Sequence, residues 1–259
     1  MSYAVIPMLN EIIHGDCLEV MPQIPSGSID MILCDLPYGT TACKWDTIIP
    51  FEPLWEQYER VIKDSGAIVL TACQPFTSAL VMSNAKLFRY EWCWKKNPVG
   101  FLNAKRMPLK DKEDVCVFYK KLPTYNPQGV VRVDLMVANG RNLRERIGEK
   151  GLATHNGGRL GGAYKQEYTN YPRQVITFQQ DGDGLHPTQK PVALFEYLIK
   201  TYTNEGETVL DNCIGSGTTA IACMNTDRNF IGIEKEKKYF DIANERVASH
   251  TAQQRLELA

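Results

Sequence analysis

The segment from residue 207 to residue 248 constrains the fold of this chain more than any other part. An apolar run over 207–211 predicts a strand, a glycine-rich turn follows, and residues 217–225 have helical spacing. A second predicted strand over 229–234 and a second helix over 236–248 complete the unit. Two strands joined through one helix lie parallel in a sheet with a right-handed crossover. The segment therefore predicts an α/β fold built on a parallel sheet.

Further apolar runs predict the other strands and helices of this sheet. A chain of 259 residues is long enough for one large α/β domain, or for one and a half domains. Predicted strands cover residues 11–14, 29–34, 67–72, 88–95 and 114–119, and predicted helices cover residues 52–63, 76–85 and 191–203. The strands over 88–95 and 114–119 are expected to be neighbours near one edge of the sheet.

Residues 121–185 differ in character from the rest of the chain. They are rich in Gly, Asn, Arg and Tyr, their periodicity is weak, and they include a glycine-rich stretch at 157–162. Such a long irregular segment inside a compact domain is usually functional or disordered. We therefore expect residues 1–120 and 186–259 to form the α/β domain, with 121–185 as an irregular insert.

The net charge of −1 conceals an uneven distribution. Residues 95–173 contain 16 Lys and Arg against seven Asp and Glu, whereas the rest of the chain contains 13 against 23. Together with nearby aromatic residues, this asymmetry favours a surface that meets a polyanion over a merely solvated loop region. The candidate phosphate or base contacts are Lys95, Lys96, Lys105, Arg106, Lys110, Arg141, Arg144, Arg146 and Arg159.

The eight cysteines are scattered and form no Cys-x-x-Cys pair, which argues against a zinc ribbon or another metal site. Several lie in strand-like apolar runs, as free thiols do in proteins of a reducing compartment. Residues 1–9 lack a basic start, and no run approaches the ~20 apolar residues of a membrane span. We therefore expect a cytoplasmic protein without a metal or a membrane segment.

The turn Asp211-Asn212-Cys213-Ile214-Gly215-Ser216-Gly217 joins a predicted strand to a predicted helix. Gly215 and Gly217 allow the backbone to approach a ligand closely, and a helix N-terminus favours an anionic group. Glu234 ends the next strand and is suited to accept hydrogen bonds from ribose hydroxyls. The arrangement favours a cofactor that contains a nucleoside over a plain tight turn. Thr218-Thr219-Ala220 after the turn argues against a nicotinamide or flavin fingerprint.

The tetrapeptide Asp35-Leu36-Pro37-Tyr38 follows the predicted strand over 29–34. Ligands of open α/β sheets bind outside the carboxyl ends of the strands, where this turn lies. A carboxylate and an aromatic ring at this edge can hold the hydrogens of a planar amine and stack on it. The alternative is a strand-ending turn with a capping aspartate.

Three motifs, Asp35–Tyr38, His186-Pro187-Thr188-Gln189-Lys190-Pro191 and Asp211–Thr219, resemble those of the amino-methylating DNA methyltransferases that use S-adenosylmethionine. The catalytic motif precedes the cofactor motif, as in the permuted beta group of that family. The resemblance implies a Rossmann-like, seven-stranded, mostly parallel sheet with helices on both faces and an antiparallel strand at one edge. It also implies that residues 121–185 form the target-recognition region.

The resemblance assigns roles to residues around S-adenosylmethionine. Glu234 would hold the ribose, and Asp16 would meet the adenine end, although an ordinary turn aspartate is an equal reading of Asp16. Thr188 and Lys190 would lie near the cofactor's carboxylate, although Lys190 would serve equally as a solvated residue at a helix start. The residues expected around the methionine part and the helix start are Asp35, Asp211, Cys213, Gly215, Gly217, Thr218 and Thr219.

Catalysis in such enzymes needs two acceptors for the hydrogens of an exocyclic amine. The resemblance assigns these roles to the Asp35 carboxylate and the Leu36 backbone carbonyl, with Pro37 stiffening the turn and Tyr38 stacking on a flipped base. The family usually has proline where this chain has Leu36, which leaves the carbonyl in place. Aspartate rather than serine at position 35 favours adenine N6 over cytosine N4.

The implied partner is double-stranded DNA, and a homodimer is an arrangement that related enzymes often adopt. One alternative is a methyltransferase that acts on RNA or on a protein glutamine side chain. Another is a DNA-binding module that has kept the fold without the activity.

Overall fold

A computed structural model of the chain describes residues 8–41, 43, 46–138, 163–180 and 189–257. The described residues divide into two compact units, one within residues 1–126 and 173–259, and the other within residues 127–172. The strands are β1 (Glu11–His14), β2 (Ile29–Asp35), β3 (Ile62–Ala72), β4 (Phe88–Val99), β5 (Lys110–Phe118), β6 (Val131–Ala138), β7 (Ala163–Thr169), β8 (Val175–Thr177), β9 (Thr208–Asp211) and β10 (Asn229–Glu234). The helices are α1 (Cys17–Val20), α2 (Phe51–Val61), α3 (Phe76–Ser83), α4 (Val192–Tyr202), α5 (Thr218–Met224) and α6 (Lys237–Glu257).

The larger unit contains an eight-stranded sheet with the order β1-β10-β9-β2-β3-β5-β4-β8. Strands β1, β10, β9, β2 and β3 run parallel to one another, β5 is antiparallel to both of its neighbours, and β8 is parallel to β4. The predicted α/β architecture with a mostly parallel sheet is therefore confirmed.

Two details of the sheet differ from the prediction. It has eight strands rather than seven, because residues 175–177 leave the insert and pair with Cys93, Trp94 and Lys95 of β4. The antiparallel strand β5 lies third from the edge rather than at it, because β4 and β8 extend the sheet beyond it. A three-residue strand within a polar, irregular segment has too short a pattern to be recognised in the sequence.

Strand β3 begins earlier than its apolar run. Ile29 of β2 pairs with Ile62, and Met31 pairs with Ala67, so the four residues 63–66 of β3 lie opposite Asp30 alone. The Asp64-Ser65-Gly66 stretch is thus accommodated as an irregularity in the strand, where it was expected to separate a helix from a strand.

The core has two layers, one on each face of the sheet. In β2, Ile32 and Cys34 pack against the cluster that includes helices α1, α2 and α3, whereas Met31 and Leu33 pack against the cluster of α4, α5 and α6. Successive side chains of a strand point to opposite faces, so a strand buried on both sides has a continuous apolar run. This arrangement fixes β2 in the centre and brings its carboxyl end beside those of β9 and β10.

The smaller unit is described by itself. Strands β6 and β7 form an antiparallel pair in which Val131 lies opposite Thr169 and Arg132 lies opposite Tyr168. Residue Asn170 continues from β7 with a positive φ of 60° and donates a hydrogen bond to the carbonyl of Gly129. The predicted insert, residues 121–185, contains this unit, and its role as a target-recognition region stays a prediction.

Candidate active site

A cavity of about 640 Å³ lies at the carboxyl ends of the central strands. Its lining includes Asp35 and Tyr38 after β2, Asp211 and Gly215 after β9, and Glu234 at the end of β10. Because β10, β9 and β2 are adjacent and parallel, residues that follow their carboxyl ends meet at one edge of the sheet. The acidic turn and the glycine-rich turn, far apart in the chain, therefore share one cavity.

Three side chains bind the carboxylate of Asp35. The Tyr38 hydroxyl donates to Oδ1 at 2.6 Å, and the Thr71 hydroxyl at the end of β3 also donates to Oδ1. On the other oxygen, Lys190 Nζ lies 2.8 Å from Oδ2. These contacts fix the carboxylate in one orientation while leaving it partly exposed to the cavity.

Lys190 is deeply buried and lies between two carboxylates. Its Nζ is 3.2 Å from Glu113 Oε2, in addition to its contact with Asp35, and its side chain is only 5% exposed. Burial lowers the pKa of this ammonium, but Asp35 and Glu113 together outweigh burial and raise the pKa above its usual value. Lys190 is therefore a cation of the site and not a solvated residue at a helix start.

Glu113 extends this network to a second lysine. Its Oε1 accepts a hydrogen bond from Lys96 Nζ. Its Oε2 is buried and forms an ion pair with Lys190. Among the described residues, no donor is positioned to make a hydrogen bond to this Oε2. Positive and negative charges alternate along the row of side chains Lys96, Glu113, Lys190 and Asp35. The two ammonium charges therefore balance the two carboxylate charges. Such balance is needed because buried charges without partners are very costly.

The remaining residues of the tetrapeptide have different environments. Leu36 is buried in the core, which anchors the turn, and Pro37 lines the cavity. The Tyr38 ring stacks on Phe76 with centroids 5.2 Å apart and an angle of 28° between the planes. Burial, followed by the charges of Asp35 and Glu113, raises the pKa of Tyr38 well above its usual value, so its hydroxyl stays protonated and donates.

The loop after the tetrapeptide is held by Asp46. Its carboxylate accepts hydrogen bonds from the backbone N–H groups of Gly39, Thr40 and Thr41 at 2.8, 2.9 and 2.6 Å. Burial raises the pKa of this carboxyl, but the hydrogen bonds outweigh it and lower the pKa overall. The clamp brings Thr40, Thr41 and Asp46 into the cavity wall.

Asp211 lies at the start of the glycine-rich turn and accepts hydrogen bonds from within it and from the helix that follows. One oxygen accepts from the backbone N–H of Cys213 at 3.0 Å, and the other accepts from the Thr219 hydroxyl. Burial raises the pKa of Asp211 to about 7, even though these hydrogen bonds oppose the shift. The group therefore titrates near neutral pH inside the cavity.

Glu234 supports the same turn from the next strand. Its two oxygens accept from the backbone N–H groups of Gly215 and Glu236, each at 2.8 Å. A carboxylate has about four acceptor positions, so two remain for hydroxyl groups of a ligand. Gly215 has a φ of 55°, a conformation that side-chain-bearing residues rarely adopt.

Gly217 has a different environment from the expected one. It is not on the cavity wall, and a Cβ added to it would lie 3.2 Å from the Cβ of Ala243 in α6. The glycine thus permits close packing of two segments as well as a φ of 85°. Gly217 is itself the N-cap residue of α5, whereas Thr218 and Thr219 lie in its first turn and bond elsewhere.

Asp16 is a capping residue on the cavity wall, and its contact with the adenine end of a cofactor stays a prediction. As the N-cap of α1 it accepts from the Leu18 backbone N–H at 2.9 Å, and it pairs with Lys235 at 2.9 Å. It also lines the cavity, on the side of Glu234 and Lys235.

The basic candidates separate into three groups. Lys95, Lys105, Arg106 and Lys110 are exposed, as a DNA-contacting surface requires. Lys96 is instead largely buried on the cavity wall, because it pairs with Glu113. Arg141, Arg144, Arg146 and Arg159 lie outside the described residues, and so does the cofactor candidate Thr188.

The model of the N6/N4 methyltransferase family, described as DNA methylase, matches residues 29–245. This match covers most of the chain and includes both turns of the cavity. The chain belongs to this family. The resemblance inferred from the three motifs is therefore confirmed.

Known relatives of this methylase cover nearly its whole length. The DNA adenine methyltransferase YhdJ of Escherichia coli K12 is 29% identical over 95% of this chain and 85% of its own. A crystal structure of the M1.HpyAVI–SAM complex aligns with a TM-score of 0.60 and 26% identity, covering 91% of this chain and 98% of the other. The PvuII DNA methyltransferase, which is cytosine-N4-specific, has the same fold, with a TM-score of 0.63 at 14% identity and coverages of 93% and 90%.

Sequence reasoning missed several residues of the methylase cavity. Glu113 and Thr71 lie on β5 and β3 in runs that indicate strands and nothing more. Asp46 accepts hydrogen bonds from backbone N–H groups of its own loop, and such a contact leaves no periodic pattern in the sequence. Asn212, which accepts from the buried Tyr58 hydroxyl at 2.5 Å, lies inside the recognised turn and was the easiest to find.

Two features are absent from the ranges that the structure describes. No group of three or more His, Cys, Asp and Glu side chains among these residues is arranged to hold a metal ion. Within the same ranges, no helix has the length and apolar character that crossing a membrane requires.

Proposed function

We propose that this DNA methylase transfers a methyl group from S-adenosylmethionine to the exocyclic N6 of adenine in double-stranded DNA. The observation that carries the proposal is the convergence of Asp35 and the Asp211–Gly215 turn on one cavity. A donor and an acceptor of the methyl group must meet within one site, and this cavity contains groups suited to each.

The residues on the cavity wall fit the cofactor. The volume of about 640 Å³ lies within the usual range for small-molecule sites. Glu234 has acceptor positions left for ribose hydroxyls, and Asp16 with Lys235 forms the wall beyond it. Asp211, Cys213 and Gly215 form the wall where the methionine part would lie. When bound, S-adenosylmethionine supplies a methyl group on a sulfonium.

The target amine is activated by Asp35 and Leu36. The lone pair of an exocyclic nitrogen is conjugated into the ring, so two acceptors must hold its hydrogens and turn it toward tetrahedral geometry. Asp35 Oδ2 accepts one hydrogen bond from Lys190 and keeps a lone pair for the amine. The Leu36 carbonyl supplies the second acceptor, and the Asp35 charge stabilises the positive charge that develops on nitrogen.

Lys190 and Tyr38 position this carboxylate. Both donate to it from fixed locations, one on each oxygen, so the carboxylate is oriented before a substrate arrives. A catalytic group held in place by neighbours loses little entropy during reaction. The Tyr38 ring, which stacks on Phe76, is placed to extend an aromatic surface for a flipped base.

Adenine is favoured over cytosine by two observations. Position 35 is aspartate rather than serine. The relative YhdJ, similar over nearly the whole chain, is named a DNA adenine methyltransferase. The cytosine-N4-specific neighbour shares the fold alone, so N4 methylation of cytosine is the second candidate.

The experiment that tests the proposal identifies the product. Purified protein is incubated with labelled S-adenosylmethionine and, in parallel, with duplex DNA, RNA and protein, and the digested nucleosides are analysed by mass spectrometry. We expect N6-methyladenine from duplex DNA alone. N4-methylcytosine would favour the second candidate, and label in RNA or protein would overturn the choice of substrate. Binding of duplex without any affinity for the cofactor would indicate a non-catalytic module.

We place the activity in the cytoplasm. All eight cysteines are free thiols in the structure, as a reducing compartment maintains them. The DNA contact in this proposal comes from the exposed basic residues Lys95, Lys105 and Arg106, together with the insert at 121–185.

A further inference from the structure

The turn that connects β4 to β5, residues 100–109, exposes several large apolar side chains to solvent; we call it the 100–109 tip. Leu102 is completely exposed, and Phe101 and Met107 are 67% and 52% exposed. A single exposed apolar residue is ordinary, but three within seven residues form a patch that is typical of contact surfaces.

The 100–109 tip begins at the rim of the cavity. Val99, the last residue of β4, lines the cavity and pairs with Lys110, the first residue of β5. Phe101 is two residues beyond Val99, so its Cα lies within roughly 7 Å of the Cα of Val99. The 100–109 tip therefore starts next to the cavity that contains Asp35.

Exposed basic side chains lie within the 100–109 tip and on the strands that lead into and out of it. Lys95, Lys105, Arg106 and Lys110 are exposed, and none of them pairs with a carboxylate among the described residues. Cations without internal partners beside an apolar patch match a polyanion that also offers apolar surface. Nucleic acid has this combination, because phosphates flank the flat faces of stacked bases.

We propose that the 100–109 tip is a wedge that inserts Leu102, backed by Phe101, into the base stack next to the target nucleotide. This inference rests on the proposed function, since it presumes that a base leaves the duplex. Eversion leaves a gap in the stack and an unpaired partner base, which is unfavourable. An apolar side chain in that gap restores contact with the neighbouring bases, as apolar wedges of other DNA-bending proteins do. The nearby cations hold the tip against the phosphates.

The test compares two duplexes that differ in the cost of eversion. One has the target adenine paired with thymine, and the other has an abasic site opposite the same adenine, which is then already unpaired. Both contain the sequence found by modified-base sequencing of DNA from cells that express the protein. Single-turnover methyl transfer is measured for the unaltered protein, for Leu102→Ala and for Phe101→Ala/Leu102→Ala.

We expect Leu102→Ala to slow transfer to the paired duplex by about tenfold, because unstacking and unpairing are then uncompensated. Transfer to the abasic duplex should fall by less than about threefold, since little eversion cost remains. The matched control is Leu256→Ala, which removes an equally apolar side chain that is 79% exposed near the end of α6. It should change neither rate.

Each other outcome overturns the wedge. Equal losses on both duplexes would assign the tip to general DNA binding, and unchanged rates on both would assign its apolar patch to a different partner, such as a protein. If the unaltered protein methylates neither duplex, the proposed function fails and the wedge fails with it. A failure of the wedge alone is distinguishable, because the unaltered protein remains active. Equal thermal unfolding of all variants confirms that each is folded.

Discussion

Lys190 Nζ lies 2.8 Å from Asp35 Oδ2, although 155 residues separate the two in the chain. The lysine belongs to the motif before α4, and the aspartate ends β2. Their contact joins two of the three recognised motifs directly, and it occurs where Glu113 supplies a second carboxylate. The catalytic acceptor is thus part of a balanced buried network, and several consequences of this network are measurable.

We expect Lys190→Met to destabilise the protein strongly. The substitution leaves Asp35 and Glu113 as neighbouring carboxylates without a shared cation, and removing one partner of a buried pair costs about 3–5 kcal/mol. The free energy of unfolding is measured by urea denaturation. Lys63→Met is the control, because Lys63 pairs with Asp30 while 45% exposed, and its loss should be below about 1 kcal/mol. Similar losses in both variants would contradict the balanced network.

Glu113→Gln should slow methyl transfer without weakening cofactor binding. Without the Glu113 charge, Lys190 pairs with Asp35 alone, which makes the carboxylate a weaker acceptor for the amine. We expect kcat to fall about tenfold, while the KM for the cofactor changes by less than about threefold. Glu113→Asp, which keeps the charge, should retain more activity. Asp111→Asn on the same strand is the control, and an unchanged kcat in Glu113→Gln would refute the positioning role.

Asp211 should make stability depend on pH. Its folded pKa of about 7 lies above the ordinary value of 3.8, so the folded protein binds more protons between these values. The stability contributed by this group is therefore present at low pH and is lost as pH rises through about 7. Asp211→Asn removes this dependence. From pH 5 to pH 8, the stability of the unaltered protein should fall by about 2–3 kcal/mol relative to the variant. Parallel stability curves would show that Asp211 titrates normally.

Substitutions of the two glycines of the turn should affect different properties, cofactor binding at Gly215 and protein stability at Gly217. Gly215→Val places a side chain in the cavity and should abolish measurable binding of S-adenosylmethionine by calorimetry. Gly217→Val acts elsewhere, because its Cβ meets Ala243 at 3.2 Å and must displace α6. We expect this variant to lose more stability than Gly215→Val. Unchanged cofactor affinity in Gly215→Val would contradict the placement of the turn.

The sequence was sufficient to predict the strands that form the site. Apolar runs located β2, β9 and β10, and the parallel arrangement of such strands places Asp35, Asp211 and Glu234 at one edge. The network around Asp35 was not predictable in the same way. Glu113 contacts Lys96 across the pairing of β4 and β5, in which Trp94 lies opposite Glu113, and it contacts Lys190 from the distant segment before α4. Strand pairing between distant segments fixes such contacts, and no local pattern records them.

Lys96 is a second residue whose environment the sequence did not predict. Its sequence neighbours are basic or polar, so it was expected on a DNA-binding surface together with Lys95. In a strand, successive side chains face opposite sides, so Lys95 is exposed while Lys96 turns toward Glu113 and the cavity. Composition shows where basic residues are concentrated, but only the sheet decides which of the described ones reach the solvent.

The most direct test of the central claim measures two properties of Asp35→Asn side by side. Calorimetry gives its affinity for S-adenosylmethionine, and mass spectrometry gives the methylated nucleoside formed in duplex DNA. We expect affinity within about threefold of the unaltered protein and a loss of methyl transfer of at least about 100-fold, because the variant loses the charge opposite the developing cation. An active variant, or one that loses cofactor affinity as strongly as activity, would contradict the role of Asp35 as the acceptor for the target amine.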